Sequence, residues 1–297
     1  MPDVYRTPDD RFADLPDFDF PPHYVDDLPA TPGLRMHYLD EGPANAHNTF
    51  LCLHGEPTWC YLYRKMLRVF VSTGARVVVP DLFGFGRSDK PDDAVYSFDF
   101  HRQSLLDFIA KLALKNITVV GQDWGGILGL TLPVEVPERV GRIIAMNTIL
   151  TTGELPLPDA FFAWKQWAAD HPDMDIAEAM GVIDSTVPAN VREVYRAPYP
   201  NLRSKAGPRA FPRLVPLGLD DPGAATSRRA RDWLQNEWRG KAFIASGTQD
   251  PILSLPVMQL LASWIRGASP VHEVTSAGHY VQEQGEGVAR AALAYFA

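Results

Sequence analysis

Along the first half of the chain, short uninterrupted apolar runs alternate with longer amphipathic ones. Residues 34–39 and 49–53 read as strands. Residues 59–71 read as a helix, with Tyr61, Leu62, Met66, Val69 and Phe70 recurring near helical spacing. A β-like run at 76–79, a helix over 98–112, a strand over 117–122 leading into a short helix, and a strand over 142–146 follow. Continuous apolar strands between amphipathic helices predict a parallel sheet covered on both faces. The rhythm breaks near Thr151. From there to about Asp221 no strand-like run stands out, and the segment is rich in Pro, Trp, Tyr and Phe, with helix-like pieces at 159–169 and 174–181. Alternation then returns, with helices over 228–238, 257–265 and 288–296 and strands over 242–245 and 271–274. The pattern predicts one α/β core domain, residues 1–150 and 219–297, interrupted by a helical cap over 151–218.

Composition narrows the class of partners. The chain has 297 residues, 46% of them hydrophobic, which suffices for one large core with an insert. A formal net charge of −8 argues against nucleic acid or an anionic membrane as partner. The densest basic cluster, Arg228-Arg229-Arg231, reads as a solvated face. The opening stretch MPDVYRTPDDRFADLPDF is polar and lacks the apolar run of a secretory signal. No apolar stretch reaches the roughly 18 residues of a membrane span. Cys52 and Cys60 are the two cysteines and are expected as free thiols in a reducing compartment. The expectation is therefore a cytoplasmic protein, with a monomer as the default state.

Candidate chemistry falls after the ends of predicted strands, where open parallel sheets bind ligands. VVGQDWGG, residues 119–126, has the small-x-Asp-x-small spacing of a strand that turns sharply into a helix and exposes one side chain at the tip. That side chain is Asp123, in a place where many hydrolases carry Ser. His54-Gly55-Glu56-Pro57 follows the 49–53 strand, Asp250 follows the 242–245 strand, and His279 follows the 271–274 strand. The chain order nucleophile, acid, histidine is that of α/β-hydrolase triads.

These segments together (GQDWGG, HGEPTW, DLFGFGRSDKP, SGTQDPIL and SAGHYVQE) resemble the haloalkane dehalogenases of the α/β-hydrolase fold, in particular the subfamily whose catalytic acid follows the late strand. The resemblance covers essentially the whole chain and is strongest in the core. It implies Asp123 as nucleophile, His279 as the base that activates water, and Asp250 as the acid that orients His279. It implies backbone N–H groups of Glu56 and Trp124 as the oxyanion hole, and Trp124 with Trp164 of the cap as halide donors. Trp167, three residues on, competes with Trp164 for that role. Elementary chemistry agrees. A carboxylate is ionised at neutral pH, with a free value near about 3.9, and needs no base to displace halide from a saturated carbon. An indole N–H donates and never accepts, on a ring that keeps the site dry. The implied partners are a small halogenated alkane, water and a halide ion, with no cofactor and no metal.

The stretch Met146-Asn147-Thr148, where some family members carry the acid, has no carboxylate, which favours Asp250. His54 is expected to orient the oxyanion loop rather than act as base. The nearest rival is an epoxide hydrolase, which would need two cap tyrosines as proton donors; Tyr195 and Tyr199 are the candidates. A non-catalytic receptor on the same fold has no need for Asp123, Asp250 and His279 together.

Overall fold

The computed structural model describes residues 3–297. Its centre is an eight-stranded sheet: β1 (His23–Val25), β2 (Met36–Glu41), β3 (Thr49–Leu53), β4 (Arg76–Pro80), β5 (Ile117–Gln122), β6 (Val140–Met146), β7 (Lys241–Gly247) and β8 (His272–Val274). In space they run β8-β7-β6-β5-β3-β4-β2-β1. From β4 to β8 every pairing is parallel, and β1 and β2 add an antiparallel edge. All residues of β3 and of β5 are buried, as a strand covered by helices on both faces requires.

Helices α1 (Arg64–Val71), α2 (Phe98–Lys111) and α3 (Trp124–Gly129) precede β6; α4 (Asp159–Asp170), α5 (Ile176–Ile183), α6 (Ala189–Val194), α7 (Ala206–Leu214) and α8 (Ala224–Asn236) lie between β6 and β7; α9 (Leu255–Ser263) and α10 (Gly285–Phe296) complete the chain. The core is continuous and aromatic-rich; Phe50 of β3, for example, stacks on Phe70 of α1 at 4.0 Å. Among the described residues no helix is long and apolar enough to cross a membrane.

Several expectations shift. The first strand lies at 36–41 rather than 34–39, and it is preceded by an antiparallel edge strand, β1, too short to show a period. The 59–71 helix divides into a 3₁₀ turn, Cys60–Tyr63, and α1. Helices α6 and α7 went unread. The first is a turn and a half long, and the second carries Pro208 and Pro212, which read as loop. Pro208 is tolerated near the start of α7, where an N–H has no intrahelical partner, whereas Pro212 removes one bond from its interior. Arg228, Arg229 and Arg231 lie on the solvent-accessible side of α8 as expected, where they bond to the Thr152 and Leu219 carbonyls, Glu135 and Glu154 respectively, stitching α8 to the segment after β6 and to the Glu135 loop.

The site owes its position to topology. After β3 the chain steps to β4 on one side; after β5 it steps to β6 on the other. The ends of β3 and β5, paired at Leu53 and Gly121, are thus the point where the winding reverses, and a crevice opens there.

Candidate active site

Asp123 sits at the tip of the β5–α3 turn with φ 51° and ψ −126°, a conformation that costs a side-chain-bearing residue about 1–3 kcal/mol. Close packing enforces it. A Cβ at Gly125 would lie 1.9 Å from the Leu53 carbonyl oxygen, and one at Gly121 would lie 2.7 Å from the Gly125 oxygen. Glycine at both places lets strand and helix meet at this angle. The backbone is also tied on both sides: the Asp123 N–H donates to the Asn147 carbonyl at 2.9 Å, and the Thr148 hydroxyl donates to the Asp123 carbonyl at 2.8 Å.

The two carboxylate oxygens of Asp123 have different neighbours. Oδ1 accepts the Glu56 N–H at 2.9 Å, and the adjacent Trp124 N–H also favours the ionised carboxylate. Oδ2 lies 3.8 Å from Nε2 of His279. Burial raises the Asp123 carboxyl above its ordinary value, and His279 with the two N–H groups pulls back toward the ionised form.

Nδ1 of His279 meets Oδ2 of Asp250 at 2.8 Å. Burial alone would push His279 down, but Asp250, then Asp123 and Asp184, outweigh it and hold it up at about 9. Asp250 is itself fully committed. Oδ2 accepts from Asn147 Nδ2 at 3.0 Å, and Oδ1 accepts the Ile252 and Leu253 N–H groups at 2.8 and 3.0 Å. Burial works against its ionised form, yet His279 and these donors keep its value below the ordinary one.

Asn147 is a residue that sequence reasoning passed over. Its Nδ2 also donates to the Gly247 and Leu253 carbonyls, and its Oδ1 accepts the Gly247 N–H at 2.7 Å. It locks the β7 loop that carries Asp250. The signal is its place just after β6, at a strand end that carries an amide instead of a carboxylate.

His54 is occupied elsewhere. Its Nε2 accepts the Leu82 N–H at 3.0 Å, so its Nδ1 carries the hydrogen and donates to the Gly55 carbonyl at 2.8 Å. Burial pushes its value down, and a neutral ring in this tautomer braces the loop that presents the Glu56 N–H. The thiols Cys52 and Cys60 are both free and buried, and burial raises each well above its ordinary value.

Asp123, Trp124, His279 and the Glu56 side chain line a cavity of about 30 Å³, roofed by Phe161 and Trp164 of α4, Ile183, Pro212 and Val215. Trp124 packs against Phe211 of α7 at 4.9 Å between ring centres. Trp167 does not line the cavity; it stacks behind Trp164 at 5.4 Å and on His171. The Glu56 carboxyl, buried beside Asp123, is pushed well above its ordinary value by desolvation and by that charge. A second, apolar slot of about 110 Å³ runs from Asp123 between Leu155, Pro156 and Leu157 on one side and Ile252, Val257 and Leu260 on the other. Leu155 and Leu260 are exposed at its outer end. A larger concavity, about 450 Å³ near Lys65, Glu273 and Glu286, is polar and open and lies apart from the carboxylate–imidazole pair. Neither tyrosine needed by the epoxide reading lines the cavity. The Tyr195 hydroxyl donates to Glu283 at 2.7 Å, and the Tyr199 hydroxyl to the Pro57 carbonyl at 3.1 Å.

Comparison with known proteins places this geometry in a family. Residues 48–286 match the model of the alpha/beta hydrolase fold. A haloalkane dehalogenase of Psychrobacter cryohalolentis is 41% identical over 97% of this chain and 96% of its own. A cis-3-alkyl-4-alkyloxetan-2-one decarboxylase of Xanthomonas campestris pv. campestris is 31% identical over 90% of this chain and 93% of its own. Among solved structures, a tetrameric haloalkane dehalogenase of Paraglaciecola agarilytica NO2 superposes with a TM-score of 0.95, 46% identity and 98% coverage of both chains. The chain belongs to the haloalkane dehalogenase family of the α/β-hydrolase fold.

Proposed function

We propose that this protein hydrolyses small haloalkanes to an alcohol and halide by way of an alkyl ester on Asp123. The observation that carries the reading is the division of labour between the two oxygens of Asp123: one accepts the Glu56 N–H, and the other lies 3.8 Å from Nε2 of His279. Oδ2 attacks the carbon that bears the halogen, a C–O bond forms as the C–X bond breaks, and the halide leaves with the electron pair. Trp124 and Trp164, on either side of the narrow cavity, donate their indole N–H groups to it. The alkyl chain lies along the apolar slot. In the second step a water gives its proton to Nε2 of His279 and attacks the ester carbon. Oδ1 becomes the oxyanion, already held by the Glu56 N–H and within reach of the Trp124 N–H next to it, and each such donor is worth about 10²–10³ in rate. Collapse releases the alcohol and regenerates the Asp123 carboxylate, and His279 loses its proton to solvent. No step calls for a cofactor.

The same geometry times the base. With its value near 9, His279 is largely an imidazolium in the free enzyme at neutral pH, flanked by Asp250 and Asp123. Alkylation turns Asp123 into a neutral ester and removes one of the charges that hold the proton. His279 then gives up its proton more readily at the stage that needs a base. In this reading residues 151–218 form the cap over a core of 1–150 and 219–297, and Asp250 keeps His279 in the tautomer that leaves Nε2 open.

The test is a panel of bromo- and chloroalkanes, epoxides and a cis-3,4-dialkyloxetan-2-one, followed by halide, diol and carbon dioxide. Halide and alcohol from the haloalkanes are expected. Diol or carbon dioxide with no halide from any reactive bromoalkane would reverse the assignment. The halide site is tested separately. Trp164→Phe should weaken product inhibition by bromide about tenfold or more, the worth of one hydrogen bond to a charged group. Trp167→Phe should leave it unchanged, and the opposite result would move the second donor to Trp167. The tetramer of the Paraglaciecola protein stands against the monomer expected from the sequence, so each assay is paired with light scattering.

A further inference from the structure

The loop that carries His279 is held from the cap as well as from the core. Helix α5 ends at Ile183, and the next residue, Asp184, is buried. Its Oδ1 accepts from the Thr186 N–H at 2.8 Å and from the Thr186 hydroxyl at 2.6 Å. Its Oδ2 accepts the N–H of Tyr280 at 3.0 Å, and the Thr186 Oγ1 accepts the N–H of Gly278 at 3.2 Å. One turn of the cap thus grips the peptide N–H groups of both residues that flank His279. The fit is close: a Cβ at Gly278 would stand 2.4 Å from Oδ1 of Asp184. From the core side, Gln122 Nε2 donates to the His279 carbonyl at 3.1 Å, and the Gln249 N–H donates to the Ala277 carbonyl at 3.0 Å.

We propose that Asp184, acting with Thr186, is a positioning residue for ester hydrolysis: it fixes the backbone around His279 from the cap, so that Nε2 stays aimed at the water that attacks Asp123. The proposal rests on the reading of His279 as base. The hydrolytic step demands more of this clamp than alkylation does. Asp123 attacks with its own electron pair and needs no proton transfer, whereas hydrolysis requires the imidazole within hydrogen-bond reach of both water and ester. Misplacement by about 1 Å in such an arrangement can cost about 10² in rate. The titratable groups around His279 are Asp250 after β7, Asp123 at the turn, Glu56 on the β3 loop, Asp184 on the cap, and the neighbouring Tyr280 phenol, whose ring centre is 4.9 Å from that of His279. Asp184 is one of the charges that raise His279, so the clamp adjusts the base as well as placing it.

Rapid-quench kinetics with a bromoalkane separates the two steps. Asp184→Asn puts an NH₂ group against one of the N–H donors and removes the charge. It should slow ester hydrolysis about tenfold to hundredfold, leave the alkylation rate within about twofold, and shift the pH profile of hydrolysis to lower pH, because His279 loses a carboxylate that raises it. Thr186→Val should slow hydrolysis without that pH shift, and Thr186→Ser, which keeps the hydroxyl, should restore the native rate. Unchanged hydrolysis in both Asp184→Asn and Thr186→Val would overturn the proposal. So would an equal fall in both steps with no recovery in Thr186→Ser, which would mark Asp184 as a support of the fold alone. His279→Gln is measured alongside. If it hydrolyses the ester at the native rate, the base assignment has failed; if it stalls while the clamp variants do not, only the clamp has.

Discussion

With His279 replaced by Gln, the protein should release about one halide per active site and then stop. Glutamine approximates the size of imidazole and can still hydrogen-bond Asp250, but it cannot take a proton from water. In the proposed reaction alkylation uses only Oδ2 of Asp123, the apolar slot and the two indole donors, all of which remain. Hydrolysis should fall by about 10²–10⁴, the usual worth of a positioned general base. Intact-mass measurement should show the protein heavier by the alkyl group less one hydrogen, and peptide mapping should place the adduct on Asp123. Continued multiple turnover by this variant would remove His279 from the reaction.

Residues whose placement depends on local pattern were legible in the sequence, and those whose placement depends on distant partners were not. The turn at Asp123 could be read because its glycines lie two residues either side, and the positions of Asp250 and His279 because each closely follows the end of a strand. Strand positions in the parallel part of the sheet were close for the same reason: continuous buried runs leave a strong signal. Asn147 meets Asp250 across 103 positions, and Asp184 meets Tyr280 across 96, and nothing in either neighbourhood announces such a partner. Tyr195 and Tyr199 illustrate the converse. Their residue type suited a proton donor, but their hydroxyls are used up on Glu283 and Pro57. Trp164 and Trp167, three residues apart, could not be separated by spacing; in space Trp164 lines the cavity and half-buried Trp167 stacks behind it.

Replacing Asp123 by Asn should abolish both the halide burst and the adduct, because an amide oxygen carries too little charge to displace halide. The change keeps the shape of the side chain, and Asn tolerates the positive φ of the turn as Asp does. Residual halide release should therefore be below about 10⁻³ of native, a loss at the low end for removal of a covalent nucleophile. Because His279 and its water could also hydrolyse that amide back to the acid, each preparation has to be checked for a 1 Da gain, about the resolution needed to tell amide from acid. The same variant tests how the base is timed. His279 is held near 9 by Asp250, Asp123 and Asp184 against the opposing effect of burial. A neutral amide at 123 stands in for the alkyl ester, so the His279 resonance followed by NMR should titrate about 1–2 units lower than in the native protein. The sign is fixed by charge: removing a nearby anion favours the neutral imidazole, and the activity of a neutral base then extends to lower pH. An unshifted His279 titration would mean that Asp123 does not govern its proton, and forming the ester would not ease its release.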